Sequence, residues 1–481
     1  MENDTRREAV MSHANALFPI LLLSGSLMAG ERINHEGRIL GIQPAVTTPT
    51  LFNTTQSDAV VSTMQIFPRD NAWNEDVSTR PLLSNSAAMI SQMRTDLGTL
   101  TTLRPFYEMN FVLVPDSQAN IPITFFNYAD ESDPSPYPIP NNMPVEGYVR
   151  ETAALTNFQW QQDINTKGGD RHSIIVMPGS GFVWETWLTK RSGGTALPEP
   201  QGGTGGTWQA SNGAKFNLNS NALRPATWTS ADASGSTMFG GLVRYDECQR
   251  GEVEHAIRCI VKRSRKSYIY PAVHAAGSTT LANVPAMGER LRLKAGFAVP
   301  AGWTTAEKAI CYALKKYGCI VTDNGGFFSI SVAPDQRFAS NAFSNITTLD
   351  LNNFDVIQTT AATGGPRSAG APTCNAGSDR NAPVGTPISL TGSASGQALT
   401  YTWYQYNKVG YTPPGTANFS APNALTTSVT FSATGTYTIV LKAADGTHTP
   451  AFDALIVTVS TNQTPVIPSA PSALPNPIKQ K

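Results

Sequence analysis

The sequence predicts a mostly β protein, with a large β-rich sandwich-type domain that carries one or two helices, followed by a smaller β-sandwich. Only 15% of the 481 residues are charged, against about 25% in a typical soluble domain. The chain also contains 39 glycines and 34 prolines, which favour turns. Several segments alternate apolar and polar residues with a period of two, as half-buried strands do. This combination is typical of extracellular β-proteins.

The composition changes along the chain and predicts a series of segments. We divide it into a signal peptide (1–29), an extended lead-in (30–63), the large β-rich domain (64–358), a linker (359–372), the second sandwich (373–460) and a proline-rich disordered tail (461–481). The apolar stretch Ala16–Ala29 follows two arginines and is shorter than the roughly 20 residues that span a bilayer. A buried N-terminal helix is the alternative for this stretch. The prediction is a secreted or cell-surface protein without a membrane span.

Two helices are predicted in the large domain. Ala87–Leu97 has apolar residues at helical spacing. A second helix begins after Thr304 or Thr305 and ends before Gly318, where glycine is a common stop. Its apolar residues recur on one face, which predicts that this face lies against the core.

Strands fill most of the remaining large domain. Arg171–Val176 and Gly181–Leu188 are predicted to pair across a short Pro-Gly turn. Ile320–Thr322 and Phe327–Val332 flank an Asp-Asn-Gly-Gly turn, which predicts a hairpin. Gly241–Tyr245 is predicted to be a further strand.

The segment after the linker resembles a PKD domain, an immunoglobulin-like β-sandwich. The residues that carry the resemblance are Asn375–Asp379, Gly385, Leu399–Trp403, Gly435–Thr438 and Ala444–Gly446. The resemblance implies two packed sheets with Trp403 in the core between them. PKD domains serve as spacers or adhesive modules beside extracellular enzymes and surface proteins, so the resemblance also implies an extracellular setting.

Charge and cysteine usage exclude several kinds of partner and site. The formal net charge is zero and the one basic run, Arg258–Lys266, is interpreted as a solvated hairpin face, so no nucleic-acid partner is predicted. None of the five cysteines forms a C-x-x-C motif, which argues against a zinc ribbon or a redox motif. One or two disulfides, or burial of all five thiols, remain open.

Three of the six histidines, His172, His255 and His274, fall in the predicted large domain. They could bind one divalent metal such as zinc, because imidazoles from separate strands can complete an open tetrahedral site. Alternatively, His172 or His255 is a general base oriented by a carboxylate such as Asp170, with Tyr245 as proton donor. The third possibility is that all three histidines are structural.

A loop rich in polar and aromatic residues supplies candidate binding groups. In it, Arg224 could bind an acidic sugar through its guanidinium and Trp228 could stack on a sugar ring, with Asp232 nearby. The alternative is a loop pinned to the core by Trp228 and an Arg224–Asp232 bridge. A separate acidic stretch, Asp130–Asp133, could hold calcium or be a solvated turn.

The large domain is also similar, over residues 64–357, to a family of uncharacterised secreted bacterial proteins. The stretches that carry this similarity include Gly169–His172, Leu223–Pro225, Gly240–Glu247 and Gly251–Arg258. The resemblance implies secretion and one integral domain, and it implies no activity.

Two functional hypotheses follow. The first is an extracellular enzyme, a lyase or hydrolase that acts on polysaccharide through a histidine base. The second is a non-catalytic cell-surface or matrix protein that binds a glycan or cell-surface polymer, or associates with copies of itself. Both depend on analogy at the level of the fold, so the arrangement of the candidate side chains has to discriminate between them.

Overall fold

A computed structural model describes residues 32–107, 109–148, 155–162, 169–358, 370–408 and 411–461. The predicted signal peptide, most of the predicted linker and almost all of the predicted tail lie outside the described residues. Strands predominate in the described part of the chain, so the mostly β prediction is confirmed. We call the residues up to 358 the N-terminal body and residues 370–461 the C-terminal sandwich.

The α-helices of the described residues all lie in the N-terminal body. They are α1 (Thr55–Val61), α2 (Ser86–Leu97), α3 (Asn157–Gln161), α4 (Tyr245–Arg250) and α5 (Thr305–Lys316). Only α2 and α5 were expected from the sequence. Helix α1 falls in the segment predicted to be extended, and α4 replaces the end of the strand predicted at Gly241–Tyr245. None of the helices in the described residues is long and apolar enough to cross a membrane.

Helix α5 shows why its sequence folds where it does. The Thr304 side chain accepts a hydrogen bond from the Glu307 backbone N–H at 3.1 Å, and the Glu307 carboxylate accepts one from the Thr304 N–H at 2.9 Å. This reciprocal capping satisfies two backbone donors at the helix start. Gly318, with φ at +69°, follows the last turn as predicted. The apolar face, including Ile310 and Leu314, is buried in the main core.

The strands of the N-terminal body are short. They are β1 (Thr50–Leu51), β2 (Arg104–Phe106), β3 (Phe111–Leu113), β4 (Ile123–Phe125), β5 (Ser173–Met177), β6 (Phe182–Trp187), β7 (Lys190–Ser192), β8 (Thr195–Ala196), β9 (Gly203–Thr204), β10 (Thr207–Ala210), β11 (Asn212–Asn217), β12 (Ile257–Val261), β13 (Arg290–Leu293), β14 (Cys319–Asn324), β15 (Ser329–Ser331) and β16 (Phe354–Val356). In the described residues they form a five-stranded sheet ordered β1-β3-β5-β6-β11 and a six-stranded sheet ordered β16-β13-β14-β12-β15-β2. A three-stranded sheet, β4-β10-β7, and the small pair β8-β9 complete the body.

The five-stranded sheet is the middle layer of the body, because both of its faces are covered. On β5, Ile174 and Val176 belong to the main hydrophobic core, which includes residues of the six-stranded sheet. Ile175 and Met177 belong to a second core, which includes Trp208 of the three-stranded sheet. A strand covered on both faces is apolar at consecutive positions rather than at alternate ones. This explains the uninterrupted apolar run in β5.

The hairpin predicted around residues 323–326 is wrong. Strand β12 lies between the two expected partners: it pairs in parallel with β14, Ile257 opposite Cys319, and antiparallel with β15, Cys259 opposite Ile330. The Asp-Asn-Gly-Gly turn signal is local and carries no information about a strand from far upstream. The insertion places Arg258 of β12 beside the end of β14, which matters for the candidate site.

The C-terminal sandwich has the strand pattern that the sequence predicts. Its strands are β17 (Thr373–Asn375), β18 (Arg380–Pro383), β19 (Ile388–Thr391), β20 (Ser393–Ser395), β21 (Thr400–Gln405), β22 (Ala417–Phe419), β23 (Thr426–Phe431), β24 (Gly435–Ala444) and β25 (Ala451–Ser460). In the described residues β18-β25-β24-β21 form one sheet, β19-β23-β22 a second, and β17-β20 a small pair. Trp403 is 1% exposed in the core, and its indole N–H donates to the Ala424 carbonyl at 3.0 Å.

The sandwich is in direct contact with the N-terminal body. The Lys408 ammonium donates to the Glu36 carbonyl at 2.9 Å, and the Tyr406 hydroxyl accepts from the Ile39 N–H at 3.3 Å. The segment that carries Glu36 and Ile39 is itself held to the body, because Arg38 donates to Glu254 at 2.8 Å. Residues 32–40 therefore fasten the two parts together.

All five cysteines are free thiols, so the disulfide alternative is wrong for this structure. Cys248, Cys259, Cys311 and Cys319 are buried in the body, and Cys374 is half-buried in the sandwich. Burial raises the pKa of Cys311 to about 12. Thiols of this kind behave as small apolar side chains rather than as nucleophiles.

Candidate functional site

A cavity of about 340 Å³ opens where loops of the five-stranded and six-stranded sheets meet. Asp170 and His172 enter it just before β5, and Trp187 enters at the end of β6. Asp323 enters near the end of β14, and His274 from the long loop between β12 and β13. We call this cavity the polar pocket. It brings together Asp170, His172 and His274 from the predicted set.

His172 lies in the wall of the polar pocket as one half of a buried ion pair. Its Nδ1 atom is 2.7 Å from the Glu146 carboxylate, which also accepts the His172 backbone N–H at 3.0 Å. Its Nε2 atom is 3.0 Å from the Ala231 carbonyl, so an imidazolium donates from both nitrogens. Burial alone lowers the pKa of His172, but the Glu146 carboxylate outweighs burial and raises this pKa to about 9. A histidine held protonated in this way is not the general base that the sequence suggested.

Beneath the pocket lies a buried guanidinium shared by two carboxylates. Arg258 and Asp232 are both fully buried, and Arg258 donates two parallel hydrogen bonds to Asp232, at 2.7 and 2.8 Å. Arg258 also donates to Asp323 at 3.2 Å. Asp232 is therefore a structural counter-ion, and its predicted role in binding substrate is wrong. The two parallel hydrogen bonds between Arg258 and Asp232 hold the loop after β11 against β12.

Asp323 is the half-buried carboxylate of the polar pocket. Burial and the neighbouring Asp232 carboxylate raise the pKa of Asp323 to about 6, against the opposing effect of Arg258. One of its oxygens accepts the Asn324 backbone N–H at 2.7 Å. A carboxyl group that titrates near neutral pH can donate or accept a proton during a reaction.

His274 is oriented by a single backbone contact. Its Nδ1 atom lies 2.6 Å from the Ala233 carbonyl and must carry the proton to donate to it. In a neutral ring this tautomer leaves a lone pair on Nε2, and the half-buried side chain lines the polar pocket. The imidazole of the pocket that keeps one ring nitrogen open is therefore His274 rather than His172.

An aromatic pair forms one side of the opening. The rings of Tyr128 and Trp187 stack with their centroids 6.5 Å apart and their planes 30° apart. Tyr128 is 43% exposed, and both rings line the polar pocket. Exposed aromatic rings of this kind offer an apolar face beside polar groups.

The predicted three-histidine metal site is wrong. His255 does not line the polar pocket: it lies in a separate buried cluster, with Nδ1 2.7 Å from the Ala256 carbonyl and Nε2 3.1 Å from Glu247. Among the described residues, no group of three or more histidine, cysteine, aspartate or glutamate side chains is placed to hold a metal ion. The zinc hypothesis therefore has no site in the described part of the chain.

Tyr245 is also outside the polar pocket. It begins α4, where its ring packs edge-on against Phe338 with centroids 5.0 Å apart. The Arg337 guanidinium lies 4.0 Å from the centre of the same ring. These contacts give Tyr245 a packing role, and its role as proton donor stays a prediction from the sequence.

Arg224 holds the loop after β11 against the acidic segment at Glu131 and Asp133. Arg224 forms an ion pair with Asp133 and donates to the Glu131 carbonyl at 2.7 Å, while its guanidinium lies 5.7 Å from the Trp228 ring. The Arg224–Asp232 bridge expected in the alternative from the sequence is not formed, because Arg224 pairs with Asp133 and Asp232 pairs with Arg258. The Glu131 carboxylate accepts the Thr229 N–H at 2.8 Å. These contacts use Glu131 and Asp133, two of the three carboxylates that could otherwise have bound calcium.

A larger cavity, of about 490 Å³, lies between the body and the sandwich. Charged groups in its lining are bonded to their neighbours: Glu75 pairs with Arg80, and His448 lies 2.5 Å from Asp445. His448 is oriented there through Nδ1 much as His274 is in the polar pocket, but the polar pocket also places an aromatic pair, Tyr128 and Trp187, beside its imidazole. We therefore place the candidate functional site in the polar pocket.

Sequence reasoning missed Asp323, Tyr128, Trp187 and Glu146. Asp323 was assigned to a turn, although a carboxylate that follows a buried strand is a common position for a functional group. Trp187 was assigned only to a strand, without a role. Glu146 lies in an irregular segment and carries no local signal.

Comparisons with known proteins give only partial likenesses. No family model matches the chain, and no curated protein matches it. Similar solved structures include the PKD domain from KIAA 1837 protein, with 21% identity over 24% of this chain and 99% of that chain, at a TM-score of 0.16. The PKD domain of human KIAA0319 is 15% identical over 24% of this chain and 99% of that one, at a TM-score of 0.17. A possible alpha-galactosidase from Bacteroides fragilis is 21% identical over 19% of this chain and 18% of that one, at a TM-score of 0.15.

Proposed function

We propose that this protein is an extracellular carbohydrate-active protein and that its polar pocket binds and cleaves a polysaccharide. One observation carries the proposal: an aromatic pair, an imidazole with an open nitrogen and a carboxyl group that titrates near neutral pH line the same cavity. Aromatic faces bind the apolar faces of sugar rings, and polar groups in the same pocket fix the orientation of a bound ligand.

The proposed chemistry assigns different roles to His274 and Asp323. The Nε2 lone pair of His274 accepts a proton from water or from a sugar carbon, and the Ala233 carbonyl keeps the ring in the required tautomer. Asp323, with its pKa raised to about 6, donates a proton to the departing sugar oxygen. Proton removal from water leads to hydrolysis, and removal from carbon leads to elimination. His172 supports both groups by holding the adjacent loop through Ala231.

The proposal is tested by incubating the purified protein with a panel of polysaccharides and following both reducing ends and the absorbance of unsaturated products. We expect His274→Gln and Asp323→Asn to lower turnover by roughly 10²- to 10⁴-fold, which is typical for the loss of a general acid or base. His255→Gln is the matched control, because His255 lies outside the polar pocket, and it should retain turnover.

The outcomes of these assays discriminate between the two functional hypotheses that the sequence suggested. Absence of both turnover and binding across the panel contradicts the proposal as a whole. Binding that requires Trp187 but gives no products supports a non-catalytic glycan-binding protein. Self-association of the chain stays a prediction, to be measured by analytical ultracentrifugation.

A further inference from the structure

We propose that the polar pocket selects sugars that carry a positively charged amino group over neutral or acidic sugars. This inference rests on the proposed function of the same pocket and names its substrate class. It follows from the balance of charged groups in and beneath the pocket.

The cations nearest the polar pocket are already bonded to protein groups. His172 is paired with Glu146 and the Ala231 carbonyl, which uses both ring nitrogens. Arg258 is fully buried, and it is bonded to Asp232, Asp323 and the Ser331 hydroxyl. Neither cation has a donor directed at a ligand, so neither can bind the carboxylate of an acidic sugar.

In the described part of the chain, the lining of the cavity adds no further cation. Among the described residues that line the polar pocket there is no lysine and no arginine. Arg224, which the sequence suggested as a ligand for an acidic sugar, is paired with Asp133 and lies outside this lining. An acidic sugar would therefore lose its hydration without gaining a partner, which is unfavourable.

The carboxylates of the pocket exceed the cations available to them. Asp323 shares the single Arg258 guanidinium with Asp232, which takes two of its hydrogen bonds. Asp170 is exposed at the rim of the same cavity. A sugar ammonium would supply the missing positive charge, and a partly buried pocket strengthens such an attraction relative to open water.

The lone pair of His274 also favours an amino sugar as the ligand. Since the Ala233 carbonyl holds the proton on Nδ1, Nε2 offers an acceptor to an ammonium or hydroxyl donor. The aromatic pair of Tyr128 and Trp187 supplies the face for the sugar ring. The pocket thus combines an apolar platform with two carboxyl groups and an imidazole acceptor, which fits the donor groups of an amino sugar.

The experiment measures binding of three oligosaccharides of equal length just below neutral pH, where the sugar amines are protonated, by calorimetry: glucosamine oligomers with free amino groups, their N-acetylated forms, and galacturonate oligomers. We expect the free-amine form to bind at least about tenfold more tightly than the N-acetylated form, the equivalent of one favourable charge contact. Galacturonate oligomers should bind most weakly.

Variants separate the pocket from general surface attraction. Asp170→Asn should remove most of the preference for the free amine, and because Asp170 is exposed, this variant should fold normally. Asp130→Asn removes an exposed carboxylate outside the pocket lining and should leave the preference unchanged. Equal effects of the two variants would show attraction to the surface and would overturn the inference.

The inference and the proposed function fail in different ways. If N-acetylated or acidic oligomers bind as tightly as free-amine oligomers, and Trp187→Ala weakens that binding, the pocket binds sugars and only the charge preference is wrong. If none of the three oligosaccharides binds and the polysaccharide panel gives no turnover, the proposed function is wrong and the inference falls with it.

Discussion

The ion pair between His172 and Glu146 predicts that the protein loses stability as the solution becomes slightly alkaline. The pKa of His172 is raised from 6.5 to about 9 in the folded protein. A histidine whose folded pKa is raised contributes stability that is fully present below pH 6.5 and is lost as pH rises through about 9. The contribution has this sign because the folded state binds the proton more tightly than the unfolded chain does.

The size of the effect follows from the same shift. A pKa shift of this size contributes about 3 kcal/mol to the free energy of unfolding, at about 1.4 kcal/mol for each pKa unit. Between about pH 7 and about pH 8.5, roughly 2 kcal/mol of this should disappear, since in this range the folded protein keeps a proton that the unfolded chain has released. Glu185, whose pKa burial raises to about 7, is already half ionised at the start of this window and contributes little to the decrease.

The assay is urea unfolding followed by tryptophan fluorescence at the two pH values. His172→Gln should lower the free energy of unfolding by about 3 kcal/mol near neutral pH, because it removes the imidazolium that is paired with the buried Glu146 carboxylate. The variant should also lose most of the decrease between the two pH values. His448→Gln, which removes a histidine from the C-terminal sandwich, is the matched control.

Two results would refute this reasoning. One is a wild-type free energy of unfolding that stays constant or rises between the two pH values. The other is a His172 imidazole resonance, followed by nuclear magnetic resonance with labelled histidine, that titrates near the ordinary value of 6.5. Either result would mean that Glu146 does not hold the imidazolium.

Three further variants test the architecture. Asp232→Asn removes the carboxylate that accepts two hydrogen bonds from the buried Arg258 guanidinium. This variant should lower the free energy of unfolding by about 3–5 kcal/mol in urea titrations. Trp403→Ala should cost about 3–5 kcal/mol, with the C-terminal sandwich melting first in calorimetry. Arg38→Ala removes the contact with Glu254 and should speed amide exchange in residues 32–40 while leaving the unfolding of the body nearly unchanged.

For each of the three variants, one result would contradict the expectation. Wild-type stability of Asp232→Asn would mean that the buried pair is dispensable. A Trp403→Ala protein with one unchanged melting transition would mean that the indole is not in the sandwich core. Unaltered exchange in Arg38→Ala would mean that other contacts hold the segment to the body.

Several features of this protein are determined by short stretches of sequence. The capping residues and apolar spacing of α5 define its start, its end and its buried face. Alternation in the last third of the chain places the strands of the C-terminal sandwich and the core position of Trp403. These features depend on contacts within a few residues or on a repeating pattern, and such contacts can be recognised without knowing the rest of the fold.

The membership of the polar pocket was only partly accessible to sequence reasoning. Asp170, His172 and His274 were candidates because they are polar groups beside predicted strands, and the structure brings them to one cavity. His255 met the same criterion and lies elsewhere, paired with Glu247. Position beside a strand therefore did not distinguish a pocket residue from a buried ion-pair residue.

What only the tertiary structure decided is which distant groups neutralise one another. Arg258 meets Asp232 across 26 residues of chain and Asp323 across 65, because β12 inserts beside β14 where a hairpin was expected. The same long-range packing buries Glu146 against His172 and so turns a candidate base into a fixed cation. Local sequence determines strands and helices through short-range sterics and periodicity. The charge and protonation of a pocket depend on burial and on partners that meet only when the sheets pack.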